Sequence, residues 1–211
     1  MFLRSNGIGT GHVIRGGGLV LRAPTMGDYP AWASLRNESR AFLAPWEPVW
    51  PADELTRSAF RRRLRRYGRE SRDDTGYGFF VFRAEDDTLV GGLSLAYVRR
   101  GVTQSCSLGY WMGERFAGRG TMTAAVTAVV PFVFGTLRLN RVEAACLPHN
   151  VASIRLLEKV GFRREGYARR YLCIAGEWQD HLLFGLVAGD PGTAATVRPA
   201  GPALADMLPG R

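Results

Sequence analysis

The stretch Gly109-Tyr110-Trp111-Met112-Gly113-Glu114-Arg115-Phe116-Ala117-Gly118-Arg119-Gly120-Thr121-Met122-Thr123 carries the most informative chemistry of the 211-residue chain. A strand-like run ends, and a turn bearing Gly118 and Gly120 opens a helix. The first turn of a helix offers unpaired N–H groups and the positive end of the helix dipole. Glycines let a phosphate come close to those amides, so the segment forms an anion cradle. It contains neither G-K-[ST] nor G-x-G-x-x-G, which excludes the two common nucleotide loops. Gly7-x-Gly9-x-Gly11 has a loop-like spacing, but no strand precedes it and no helix follows. Cys106, Cys146 and Cys173 are widely spaced and lack a C-x-x-C. They make no disulfide or zinc framework and are expected as small core residues in strands.

The elements that must position the cradle follow from periodicity and punctuation. Leu19–Arg22 reads as a strand. Asp28–Ser39 has a helical period with Asp28 as its cap. Residues 42–51, with Pro45, Pro48 and Pro51, read as a loop carrying Trp46 and Trp50. Asp53–Arg69 is a helix with Leu55, Ala59, Phe60 and Leu64 as its apolar stripe. Gly78–Arg83, Leu89–Arg99 and Gln104–Met112 form a three-strand meander. Gly120–Phe134 is a buried helix, Arg141–Leu147 a strand, and Asn150–Val160 a helix closed by Gly161. Phe162–Ile174 and Trp178–Val187 pair around Gly176. The order β-α-α-β-β-β-α-β-α-β-β is that of a mixed α/β domain. Residues 1–18 are expected as a flexible N-terminal arm, 19–189 as the domain, and 190–211 as a flexible Gly-, Pro- and Ala-rich tail.

Composition narrows the function classes. Hydrophobic residues make up 46% and charged residues 22%, an ordinary globular balance. No run reaches the roughly 20 apolar residues of a membrane span, and the first residues lack a signal-peptide core. The cytoplasm is therefore expected, with no membrane partner. The net charge of +9 favours anionic partners. Lys159 is the only lysine among 28 basic residues, so part of that charge reflects a bias toward arginine codons. Arg61, Arg62, Arg63, Arg65, Arg66 and Arg69 cluster on the second helix. They are read either as a solvated face or as a contact for RNA or an acidic partner.

The glycine turn resembles the acetyl-CoA pyrophosphate loop of Gcn5-related N-acetyltransferases (GNATs), Q/R-x-x-G-x-G/A. Gly120 fills the central glycine, while Ala117 and Met122 depart from the pattern. Pro148-His149-Asn150-Val151-Ala152-Ser153 and Leu156-Leu157-Glu158-Lys159-Val160-Gly161-Phe162 are similar to the family's second signature. Pro45-Trp46-Glu47-Pro48, Leu108-Gly109-Tyr110-Trp111 and Gly176-Glu177-Trp178-Gln179-Asp180-His181 resemble the RimJ/RimL-type ribosomal-protein alanine N-acetyltransferases, RimJ most nearly. The resemblance spans about residues 19–187. It implies a central, mostly antiparallel, splayed sheet of about seven strands flanked by about four helices.

The resemblance also implies a site. Pantetheine enters between the strands ending at Met112 and beginning at Arg141, bonded to backbone at Trp111, Met112 and Gly113. Pyrophosphate lies on the amides of Gly118, Arg119, Gly120, Thr121, Met122 and Thr123, with Arg119 as an extra cation. Asn150 bonds the pantetheine arm, and Ser153 lies one helical turn further on the same face. Acetyl-CoA is the co-substrate and no metal is needed. Transfer is direct, with a backbone N–H near Met112 polarising the carbonyl. Leu157 stands where many relatives place a proton-donating tyrosine. Ser153 either takes that role or only caps its helix. Glu47, Glu143, Glu114 and His149 are the base candidates, Glu47 with the alternative of orienting the amine. An α-amine needs about 3 kcal/mol less help with deprotonation than a lysine, which suits a site without an obvious strong base. The leading expectation is acetylation of the N-terminal alanine of a ribosomal protein. A small-molecule amine acetyltransferase and a non-catalytic RNA- or ribosome-binding protein are the alternatives.

Overall fold

The computed structural model describes residues 11–191 and Thr193. Among the described residues, eight strands form one sheet: β1 (Val13–Gly16), β2 (Leu19–Arg22), β3 (Tyr77–Arg83), β4 (Leu89–Arg99), β5 (Ser105–Met112), β6 (Arg141–Cys146), β7 (Arg163–Ile174) and β8 (Glu177–Val187). Their order is β1-β2-β3-β4-β5-β6-β8-β7. Only β5 and β6 run parallel. The helices are α1 (Tyr29–Glu38), the single turn α2 (Arg40–Leu43), α3 (Arg57–Arg72), α4 (Thr121–Pro131) and α5 (Val151–Val160).

The helices cover both faces of the sheet. On one face, Val126 and Val129 of α4 and Leu157 of α5 pack on Leu93, Leu95, Leu108 and Val142. On the other, Trp32 and Leu35 of α1 and Phe60 of α3 pack on Phe80, Phe82 and Leu89. Strand β3 therefore buries successive residues on opposite faces, Val81 in the first core and Phe82 in the second. That is the two-residue period of a strand covered on both sides.

Several expectations are corrected. Residues 13–18, expected in the arm, form a hairpin with β2: Gly17 and Gly18 take φ of 58° and 73°, as a tight turn between antiparallel strands requires. Residues 1–10, the rest of that arm, lie outside the described residues, as does all of the expected tail beyond Pro191 except Thr193. Residues 40–46 are helical despite Pro45, because Pro45 sits in the first turn of a short 3-10 segment, where no intrahelical N–H is lost. Asp28 does not cap α1 through its side chain. Its carboxylate instead accepts from Arg22 (2.8 and 2.7 Å) and from Thr25 N–H (2.6 Å). Helix α3 begins after Thr56, whose hydroxyl accepts from Ala59 N–H (3.2 Å). Cys106 and Cys146 are buried as expected, but Cys173 is exposed on the outer strand β7.

Candidate active site

The site begins where two strands part. β5 pairs with β6 only from Ser105↔Arg141 to Leu108↔Ala144. β5 continues along β4 to Met112, and β6 continues along β8 to Cys146. A gap opens beyond Leu108. Gly113 N–H donates to Val90 O on β4 (2.9 Å). Backbone groups alternate sides along a strand, so the N–H groups of Tyr110 and Met112 turn away from β4 toward the gap. Gly113 itself, expected as a ligand-binding amide, is held by β4.

On the α4/α5 face a cleft of about 440 Å³ lies against this gap. Its lining includes Trp111, Met112, Gly118, Gly120, Thr121, Met122, Thr123, Asn150 and Ser153. Gly113 and Arg119 are absent from it, and Arg155 and Lys159 of α5 supply its cations instead. Gly120 has φ of 76°, and a Cβ there would meet nothing within 4 Å. The glycine turn is thus a backbone-lined recess at the start of α4, the form an anion cradle takes.

Asn150 and Ser153 meet at the start of α5. Asn150 Oδ1 accepts from Ser153 N–H (3.0 Å), so Asn150 is the cap of α5. The Ser153 hydroxyl instead lies 2.6 Å from the Tyr110 hydroxyl, across the gap. Burial pushes the Tyr110 phenol up to about 12, against the opposing effect of the Ser153 bond. It stays protonated at neutral pH. Burial also raises the Cys146 thiol, which Ser153 contacts as a hydrogen-bond partner. Leu157 is fully buried in the core.

A second recess, about 590 Å³, opens on the α1/α3 face. Tyr110, Trp111 and Glu47 line both recesses. Arg36 is only 5% exposed and grips Glu47 through two bonds of 2.6 and 2.7 Å. Trp50 Nε1 donates to the same carboxylate (2.7 Å), and the Arg36 guanidinium lies 4.2 Å from the Trp50 ring. Arg63 bonds Glu54 beside them. Ala175 N–H, at the tip of the β7–β8 hairpin, donates to Glu47 O (2.9 Å) and ties the loop to the sheet. Glu143 pairs with Arg99 (2.8 Å) and Arg141 (3.0 Å) and lines neither recess. Glu114 and His149 line neither as well; the His149 ring packs 5.5 Å from Trp46.

Residues 18–163 match the acetyltransferase (GNAT) domain family. The chain belongs to the GNAT acetyltransferases. It is 34% identical to the probable N-acetyltransferase YjcK of Bacillus subtilis over 84% of this chain and 98% of that one. It is 35% identical to the [ribosomal protein uS5]-alanine N-acetyltransferase of Escherichia coli, over 77% of this chain and 85% of that one. The structure of Mycobacterium smegmatis RimJ in complex with CoA-disulfide matches with a TM-score of 0.79 at 30% identity, covering 87% and 91% of the two chains. This GNAT chain is an acetyl-CoA-dependent N-acetyltransferase. Its sequence did not reveal Tyr110 or Arg36 as parts of the site. The signal for Tyr110 was its place in Leu108-Gly109-Tyr110-Trp111; Arg36 looked like any helix-surface cation.

Proposed function

We propose that this enzyme acetylates the α-amino group of a protein N-terminus, with the N-terminal alanine of a ribosomal protein as the preferred acceptor and the cytoplasm as its setting. The observation that carries the reading is the pair of recesses meeting at Tyr110 and Trp111 through the parted strands. The recess on the α4/α5 face takes acetyl-CoA. The one on the other face takes the amine. The 35% identity to the uS5-alanine enzyme supports an N-terminal acceptor.

The donor recess fits its ligand. Open backbone at Gly118 and Gly120, the start of α4, Arg155 and Lys159 suit the phosphates, which bring roughly −3.5 to −4 charges. The Met112 N–H faces the gap and donates to the thioester carbonyl oxygen. Acetyl-CoA supplies an activated acyl group, which the amine attacks directly. When Tyr110 is the donor in its bond to Ser153, the Ser153 proton is free for the departing thiolate. The Glu47 carboxylate already accepts three bonds, two of them from Arg36. Those three bonds occupy the carboxylate, so it orients the incoming amine rather than removing its proton. An α-amine is already about a tenth uncharged at neutral pH, so water suffices as the base. Arg62, Arg63 and Arg66 of α3 are paired with Asp53, Glu54 and Glu70. Arg61, Arg65 and Arg69 recur every fourth residue, along one side of the helix, and are the proposed contact to ribosomal RNA.

Mass spectrometry of a peptide panel with acetyl-CoA tests the reading. The panel carries N-terminal Ala, Ser or Met, a blocked peptide with one internal Lys, and small amines. One acetyl group gained by the free Ala or Ser peptides alone is expected. Modification of the small amines alone would move the enzyme to small-molecule acetylation.

A further inference from the structure

The groove on the α1/α3 face extends well beyond the point of reaction. Its floor includes the paired Ser94 and Gly109 of β4 and β5, where the side chains are small. At its far end β4 carries a bulge. Ala96 pairs with Ser107 and Arg99 with Ser105, so Tyr97 and Val98 together oppose Cys106. One extra residue reverses the faces of everything beyond it. Val98 is thereby buried in the α4-side core, and its N–H donates to Thr75 O (3.0 Å). Tyr97, which a regular strand would bury there, is thrown onto the groove side, where it is 76% exposed. Its φ is 51°, a region that bulky L residues rarely adopt. Among the described residues its hydroxyl makes no hydrogen bond and its ring no stack. The fold holds a large, mostly exposed aromatic in a disfavoured backbone state at the rim of a groove.

We infer that Tyr97 is a specificity-determining residue that packs on an extended peptide at about the fifth residue from the acetylated amine. The inference rests on the reading of this groove as the acceptor site. Gly92 pairs with Trp111 at the opening between the recesses. Tyr97 lies five residues further along β4, about 16 Å away. An extended acceptor advances at a similar rise per residue, so roughly five residues span the distance. Single amino acids and dipeptides fall short of Tyr97. Peptides of six residues reach it.

The test compares wild type with Tyr97→Gly and Tyr97→Phe on an alanine-initiated series from dipeptide to octapeptide. Glycine suits the positive φ, so Tyr97→Gly keeps the bulge. The wild-type to Tyr97→Gly ratio of kcat/KM is expected to rise by about fivefold to tenfold between the dipeptide and the hexapeptide, the scale of one aromatic contact. The change should lie in KM, and Tyr97→Phe should keep the wild-type length dependence. A ratio that is flat with length overturns the inference while leaving N-terminal acetylation standing. Wild type that acetylates none of the peptides overturns the acceptor reading itself, and the inference falls with it.

Discussion

The Tyr110–Ser153 bond gives the sharpest test of the chemistry. The two hydroxyls are 2.6 Å apart, and Tyr110 is held protonated by burial, with its pKa pushed to about 12. If Ser153 protonates the leaving thiolate, Ser153→Ala removes a positioned general acid. Such groups contribute about 10²–10⁴ in rate; because water can enter the small space left, about 10² is expected. Tyr110→Phe removes a single neutral hydrogen bond, worth about 1–1.5 kcal/mol, or roughly fivefold to tenfold in kcat. Tyr110 acts through Ser153, so the two losses must not multiply. In the Ser153→Ala background, Tyr110→Phe should cost no more than about twofold. The assay is kcat at saturating acetyl-CoA, with its KM as a control on binding, for the four members of the cycle. The pH dependence of kcat from about 6 to 9 should carry no limb from Tyr110, because the phenol titrates far above that range. Losses that multiply in the double variant would falsify the coupled arrangement, and an intact kcat in Ser153→Ala would remove Ser153 from proton transfer.

Three further outcomes follow from the same geometry. Gly120→Asp should weaken acetyl-CoA binding by at least about 100-fold in titration calorimetry, by like charge in the anion cradle and left-handed strain, since a Cβ there has free space. Gly120→Ala isolates the backbone share; an equal loss for both variants would refute the charge component. Arg36→Met leaves the Glu47 carboxylate without its bidentate partner. The expected cost of about 3–5 kcal/mol lowers Tm by roughly 6–20 °C in calorimetry, and adding Glu47→Gln should recover part of it. A Tm within about 3 °C of wild type would show that the pair does not hold the loop. Asp28 loses ionisation to burial, but its bonds from Arg22 and Thr25 outweigh that and depress its pKa. Its contribution to stability is therefore fully present above the unfolded value of ~3.9 and is lost as pH falls through the lower folded value. Arg22→Ala should raise the acid-unfolding midpoint, and an unchanged midpoint would show that Arg22 does not set it.

Much of this was legible because local rules governed it. The glycine turn, Asn150 before α5 and Gly161 after it are sequence-local devices, and each stands at its expected place in the chain. The strands from Tyr77 to Met112 and from Arg141 to Val187 announced themselves by β-branched and aromatic runs. What escaped depends on distant partners. Tyr110 meets a hydroxyl 43 positions away, and no spacing rule connects them. Arg36 lies in a polar helix segment, and its burial comes from Glu47, Trp50 and Trp111 folding over it. Arg155 and Lys159 of α5 line the recess beside the glycine turn, and no motif near that turn points to them. The β1 strand was hidden by its glycines: they resemble a loose arm unless the two in the turn are read as a hairpin.

The meeting of the two recesses follows from the period of one strand. Successive side chains of β5 point to opposite faces, so Tyr110 and Trp111 necessarily address different sides of the sheet. Tyr110 packs toward the α4 and α5 core and reaches Ser153; Trp111 packs toward α1 and lies near Arg36. Because β6 has already turned away at Leu108, no neighbouring strand separates the two sides at that level. A donor bound on one face and an amine on the other can then meet through the sheet without either crossing it. The arrangement tolerates no slip in β5 between Leu108 and Met112, since a single extra residue would exchange the faces of Tyr110 and Trp111. The extra residue that β4 carries against β5, at Tyr97, lies opposite Cys106 and on the far side of Leu108, where the strands are still paired and the inversion leaves the reacting residues in register.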